Sequence, residues 1–318
     1  MVSETSLRVV FFGTPAFAVP TLEALLASPH RVVAVVTQPD RPRGRGHKTT
    51  DAPVKARAVE AAVPVLQPAT LKDPAFKEAL AALAADIGVV AAYGRILSEA
   101  VLTTPRLGMV NVHASLLPRY RGAAPVHRAV IAGERETGVT IMRVVKALDA
   151  GPMLADRRRA IGPDDTSEEV ERDLAQLGAP LLVSTLDRIA SNTAHETAQD
   201  ESAATYAHRL TREDGLIDWA WPAERVHNLV RGLHPWPHAH GFLHGGRLII
   251  RRSRPALGPA SAPPGTILSA HGDELRIAAG QGILEILELQ VEGKRPMSAR
   301  DFLAGHTLKP GDRLTPGP

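Results

Sequence analysis

The sequence predicts an α/β fold: a domain built on a parallel sheet with helices on both faces, followed by a small β-barrel. Three observations predict it. Short apolar runs alternate with amphipathic stretches over the first 160 residues. Residues 191–205 are polar and carry neither a helical nor a strand period. Beyond them the chain consists mostly of short strand-like runs divided by glycine and proline turns.

The apolar runs at 7–12, 31–36, 63–66, 87–92, 109–112 and 139–145 read as buried strands, because near-continuous Val, Ile and Phe suits a strand covered on both faces. Between them, 16–27, 53–62, 74–84 and 125–132 have helical spacing. Pro53, Pro74 and Pro125 open three of these, at a first-turn position where a backbone N–H would lack a partner anyway. Repeated strand-then-helix order implies parallel pairing. Thr166 and Glu169 have the spacing of a capping box, which predicts a helix running to about Ile189. That helix closes a first domain of residues 1–190, with 191–205 as linker and 206–318 as the second domain. In the second domain one helix, 222–231, precedes strand-like runs at 248–252, 265–268, 275–278 and 283–290.

Composition narrows the class. At 318 residues the chain can bury two cores. No apolar run approaches the roughly 20 residues of a membrane span, and Val9 to Phe12 stops at Gly13, too short for a secretion signal. A cytoplasmic protein with no membrane partner is expected. Zero cysteines exclude disulfides, a thiolate nucleophile and a Cys-based zinc site. Residues 1–205 hold 23 Lys/Arg and 23 Asp/Glu, and residues 206–318 hold 14 and 11, so the excess of +3 lies in the C-terminal part. Such an excess is a weak signal for a polyanionic partner.

The chemistry concentrates in Asn111-Val112-His113-Ala114-Ser115-Leu116-Leu117-Pro118 and in Asp149 of Leu148-Asp149-Ala150-Gly151. An amide, an imidazole and a carboxylate suffice for direct acyl transfer to an amine: one donor for an oxyanion, one group to move a proton, one to orient it. Residues two apart at a strand end face the same side, so Asn111 and His113 can meet one substrate atom. In parallel sheets ligands bind beyond the carboxyl ends of the strands, which is where this segment falls.

The order and spacing of the motifs resemble the methionyl-tRNA formyltransferases. They are Phe12-Gly13-Thr14-Pro15 with Phe17 and Ala18, Thr37-Gln38-Pro39-Asp40-Arg41-Pro42 with Gly44-Arg45-Gly46, and Val90 to Gly94. Asn111 to Pro125, Thr137 to Met142, Ala204 to Ala207 and Asp218-Trp219 complete the match, which spans nearly the whole chain. The resemblance implies a Rossmann-like formyltransferase domain and an OB-like barrel. It implies transfer of the formyl group of 10-formyltetrahydrofolate to the α-amino group of methionine on initiator tRNA. Initiator methionyl-tRNA and folate are then the partners of a monomeric chain that needs no metal. In this scheme Asn111 and His113 hold the charge on the formyl oxygen, His113 hands a proton to N10, and Asp149 fixes the imidazole tautomer. Ser115, Leu116, Leu117 and Pro118 match the segment that cradles folate. Arg41, Arg43, Arg45 and Lys48 lie in a glycine-bearing basic loop that matches the tRNA-contacting insertion, Arg45 foremost.

Other features carry less. Arg157, Arg158 and Arg159 suit an exposed strand edge, while Arg251, Arg252, Arg254, Lys294 and Arg295 are candidates for a positive track on the barrel. His234, His238, His240 and His244 have tempting metal spacing, but Pro235 and Pro237 break any single helix and no carboxylate cluster accompanies them, so they read as loop histidines. Gly13-Thr14-Pro15 lacks the glycine spacing of a dinucleotide loop, so no NAD is expected. The chain departs from the family pattern at Ala16 and at Pro152, two commonly acidic places, and Pro152 could shift the turn that presents Asp149. The alternative is a nucleotide-sugar N-formyltransferase, against which the basic loop at 41–48 argues.

Overall fold

Seven strands make the first sheet: β1 (Arg8–Gly13), β2 (Arg31–Val36), β3 (Val65–Leu66), β4 (Ile87–Ala91), β5 (Met109–His113), β6 (Glu136–Arg143) and β7 (Met153–Ala160). The computed structural model describes residues 6–40, 42–43, 48–49 and 51–317, with backbone alone at 42–43 and 48–49. Strand order is β7-β6-β5-β4-β1-β2-β3. Pairing is parallel from β5 to β3, and β6 then adds antiparallel to β5. Val9 to Phe12, Val35, Val36, Ile87, Val89 and Val110 are fully buried, as a sheet covered on both faces demands.

Helices α1 (Val19–Ala27), α2 (Pro53–Glu60) and α3 (Pro74–Ala82) fill the crossovers. All three have proline in the first turn, and Asp73 caps α3 by accepting from the Ala75 N–H at 3.0 Å. Further along are α4 (Pro125–Ile131) and the long α5 (Ser167–Ala190). The capping box forms as expected: Thr166 N–H donates to Glu169 Oε2 at 2.9 Å, and Glu169 N–H donates to Thr166 Oγ1 at 3.3 Å.

The chain divides into two compact units. The first comprises 1–125, 137–159 and 171–207; the second comprises 126–136, 160–170 and 208–318. The second thus draws in α4 and the segment before α5, which the sequence reading grouped with the first domain. The reason is a set of buried polar contacts to α6 (Ala223–Gly232). His227 Nε2 donates to the Pro163 carbonyl at 2.9 Å, and Arg231 donates to the Gly162 and Asp165 carbonyls at 3.2 and 2.9 Å. The Gly232 position lies directly against Ile131 of α4. Residues 191–205, expected as a linker, run along the first unit, where Thr197 bridges Met153.

The second unit is an antiparallel barrel of β8 (Ala239–Leu243), β9 (Gly246–Ala256), β10 (Ile267–His271), β11 (Glu274–Ala278), β12 (Ile283–Val291) and β13 (Leu314–Thr315). The order is β10-β11-β12-β9-β8-β13. The two outer strands are then stitched together: Thr266 bridges Arg313, Ile267 N–H donates to the Asp312 carbonyl, and Leu314 N–H donates to the Gly265 carbonyl, both at 2.8 Å. Leu248, Ile250, Ile277, Leu284, Ile286 and Leu289 fill the interior. The small helix α7 (Ala299–Gly305) precedes β13, its cap Ser298 accepting from the Asp301 N–H.

Candidate active site

Three segments far apart in sequence meet beyond the carboxyl ends of β1, β2 and β4. The Tyr93 carbonyl accepts from Gln38 Nε2 at 2.8 Å, and Gln38 N–H donates to Thr14 Oγ1 at 3.3 Å. Gly94 follows at φ +79°, and a Cβ there would lie 2.6 Å from the Gln38 amide. Tyr93 is buried edge-to-face against Phe12, ring centroids 5.4 Å apart. Burial also raises its phenol pKa.

The neighbouring strand β5 carries Asn111 and, as its last residue, the buried His113. Asn111 is half-buried, and its side-chain amide makes no hydrogen bond among the described residues. The imidazole does make one. His113 Nε2 lies 3.0 Å from the Tyr120 carbonyl, which can only accept, so the neutral ring carries its proton on Nε2. Nδ1 is therefore the nitrogen able to take a proton, and it stands 3.8 Å from Asp149 Oδ2. The role of fixing the tautomer, expected of Asp149, falls to a backbone carbonyl. A side-chain motif could not have shown this.

Asp149 sits in the connection between β6 and β7 at φ +48°, a left-handed conformation that Asp tolerates better than most residues. Its Oδ2 also accepts from the Gly122 N–H at 2.8 Å. Gly122 itself is at φ +117°, with the Ala207 carbonyl 2.8 Å from where a Cβ would be. Pro152 does not displace this turn: its carbonyl accepts from Arg143 N–H at 2.8 Å, and Asp149 remains beside the imidazole.

The segment expected to cradle folate turns sharply after β5. Ser115 is fully buried and donates to the Arg119 carbonyl at 2.6 Å, so its hydroxyl closes the turn itself. Thr140 Oγ1 donates to the Ser115 carbonyl and accepts from the Leu117 N–H. Leu117 is in the core, whereas Leu116 and Pro118 are half-buried. The Leu116 N–H and Leu117 carbonyl bond to nothing among the described residues and can serve a ligand.

Of the expected tRNA contacts, Arg41 and Arg45 lie outside the described residues. Arg43 and Lys48 pair backbone to backbone in a two-residue ladder. The flanks of this loop are tied at one point that the sequence reading missed. Lys55 of α2 salt-bridges both Asp40 and Asp51, and these bonds raise its pKa while the Lys55 bond lowers that of Asp40.

On the barrel, Arg251 pairs with Glu288 and Arg254 with Glu285, which neutralises much of the anticipated positive track. Arg157 to Arg159 do lie on the outermost strand of their sheet, with Arg159 paired to Asp173. The four histidines face four different partners: His234 meets Glu168, His238 meets Arg251, His240 meets Arg247 and His244 meets Asp312.

A parallel-sheet domain with an amide, an imidazole and a carboxylate at its strand ends, joined to a barrel, defines a formyl-transferring protein. Residues 7–186 match the formyl transferase family and residues 209–307 match the formyl transferase C-terminal domain. The chain belongs to the methionyl-tRNA formyltransferase family. It is 52% identical to the methionyl-tRNA formyltransferase of Methylococcus capsulatus, covering 97% of this chain and 99% of the relative. It is 48% identical to that of Citrifermentans bemidjiense, covering 98% and 97%. In fold it is similar to a sugar 3N-formyl transferase solved in the presence of dTDP and 5-N-formyl-THF. That match has a TM-score of 0.67 and 15% identity over 91% of this chain and 99% of the other.

Proposed function

We propose that this chain transfers the formyl group of 10-formyltetrahydrofolate to the α-amino group of methionine on initiator methionyl-tRNA, as a cytoplasmic enzyme of translation initiation. The observation that carries the reading is the Asn111, His113 and Asp149 arrangement in a chain that matches methionyl-tRNA formyltransferases end to end. The folate supplies an activated formyl carbon. The amide of Asn111 donates to the oxygen of that carbon as negative charge develops on it. His113 Nδ1 takes the proton lost by the attacking amine and returns it to N10 as the carbon–N10 bond breaks. Asp149 steadies the imidazolium that forms in between. Leu116 and the backbone N–H of Leu116 and carbonyl of Leu117 cradle the folate. Arg41, Arg43, Arg45 and Lys48 contact the tRNA backbone.

The test is formyl transfer to methionine-charged initiator tRNA, with charged elongator tRNA and a 4-amino nucleotide sugar as competing acceptors. Label on initiator tRNA alone is the expected result. Label on the sugar alone would transfer the same machinery to a nucleotide-sugar substrate and overturn the assignment of the basic loop.

A further inference from the structure

Behind the proposed site lies a polar network that no motif announces. Gln199 sends both amide hydrogens to the turn holding Asp149: Nε2 donates to the carbonyls of Asp149 and Gly151, each at 2.8 Å. Its Oε1 accepts twice from Arg121, from Nε at 3.0 Å and from Nη2 at 2.8 Å. All four hydrogen-bonding positions of the carboxamide are filled. Its orientation is unambiguous, since carbonyls only accept and a guanidinium only donates. Arg121, 2% exposed, is in turn held by a two-pronged pair with Glu201 at 2.7 and 2.9 Å. Those bonds raise the Arg121 pKa further, so the post remains charged at any working pH.

We infer that Gln199 is a positioning residue for Asp149: anchored on the buried Arg121, it clamps the turn at 149–151 and so sets the carboxylate against His113 Nδ1. The inference rests on the reading of Asn111, His113 and Asp149 as the reacting group. Physically, the turn needs a clamp. Asp149 has a positive φ and its side chain makes one hydrogen bond among the described residues, to Gly122 N–H, so that bond alone does not fix the peptide plane after it. The same side chain reads the backbone on both sides of Ala150, and among the described residues it makes no hydrogen bond to the imidazole. The effect on catalysis that we infer passes through Asp149, and the double variant below separates it from any effect carried by Arg121.

The experiment compares Gln199→Leu and Gln199→Glu in the full chain, with steady-state transfer to charged initiator tRNA. Glutamate keeps, and strengthens, the contact with Arg121 but replaces two donors by an acceptor facing two carbonyls. Both variants are expected to lower kcat by roughly tenfold or more, since a misplacement near 1 Å can cost up to about a hundredfold. KM for both substrates should stay within about threefold. In an Asp149→Ala background, Gln199→Leu should cost almost nothing more. Wild-type kcat in Gln199→Glu would show that Gln199 serves Arg121 alone and overturn the inference, as would a full additional loss in the Asp149→Ala background. A fully active Asp149→Ala enzyme overturns the site reading and this inference with it. An impaired Asp149→Ala enzyme beside unimpaired Gln199 variants overturns the inference alone.

Discussion

Asn111 and His113 differ in how they are held, and the difference predicts distinct losses. Asn111 has no side-chain partner among the described residues, so Asn111→Ala should reduce kcat by about 10²–10³ with little change in folate affinity. His113→Ala removes the proposed proton carrier and should cost about 10²–10⁴. Single-turnover formyl transfer beside equilibrium folate binding checks both, and normal turnover in either variant would refute the assignment. Asp149→Asn keeps an acceptor for the Gly122 N–H while deleting the charge beside Nδ1, so kcat should fall at least about tenfold with an unchanged unfolding midpoint. The three side chains could be singled out in the sequence because the proposed chemistry needs particular residue types, and the structure sets Asp149 beside the His113 ring. The Tyr120 carbonyl and Gln199 were not: the first is backbone, and the second lies in a polar stretch whose lack of periodicity reads as linker.

Elements add constraints that single side chains do not. At Gly138 on β6, a Cβ would fall 2.2 Å from the Arg157 carbonyl and 2.4 Å from Leu116 Cδ2. The carbonyl belongs to a paired strand and cannot yield, so Gly138→Ala should destabilise by about 1–3 kcal/mol and raise KM for the formyl donor by displacing Leu116. Urea unfolding and steady-state kinetics measure the two effects. Lys55→Ala unties Asp40 from Asp51, and KM for tRNA should rise severalfold while KM for folate holds; an unaltered tRNA KM removes the staple from the binding machinery. The parallel strands and their proline-opened helices could be read from pattern because burial on both faces writes continuous apolar runs. β7 could not. Its Asp156-Arg157-Arg158-Arg159 run is polar because the strand is an edge, and β8 is hidden by His240 and Gly241 in a strand of five residues.

At the scale of the molecule, buried histidines set the response to acid. Burial, the largest cause in each case, holds His30, His127, His227 and His240 below their ordinary value, and brings His238 down to about 4 with help from Arg251. These rings resist protonation in the folded chain but take protons near pH 6.5 once unfolded. The stability they contribute is complete above that pH and is lost as the pH falls toward the folded-state values. The thermal midpoint should therefore drop between pH 7 and pH 5, and His238→Asn, which tolerates the positive φ there, should flatten the slope. A midpoint independent of pH in that window would contradict the account. The stitching of β10 to β13 has a consequence for solubility. With Ile267 and Leu314 bonded across the seam, two strands that would otherwise present unpaired backbone to other molecules are occupied. Opening that seam would leave the first sheet and its candidate site intact while baring two sticky strand margins, so the protein would be lost to aggregation rather than to inactivity.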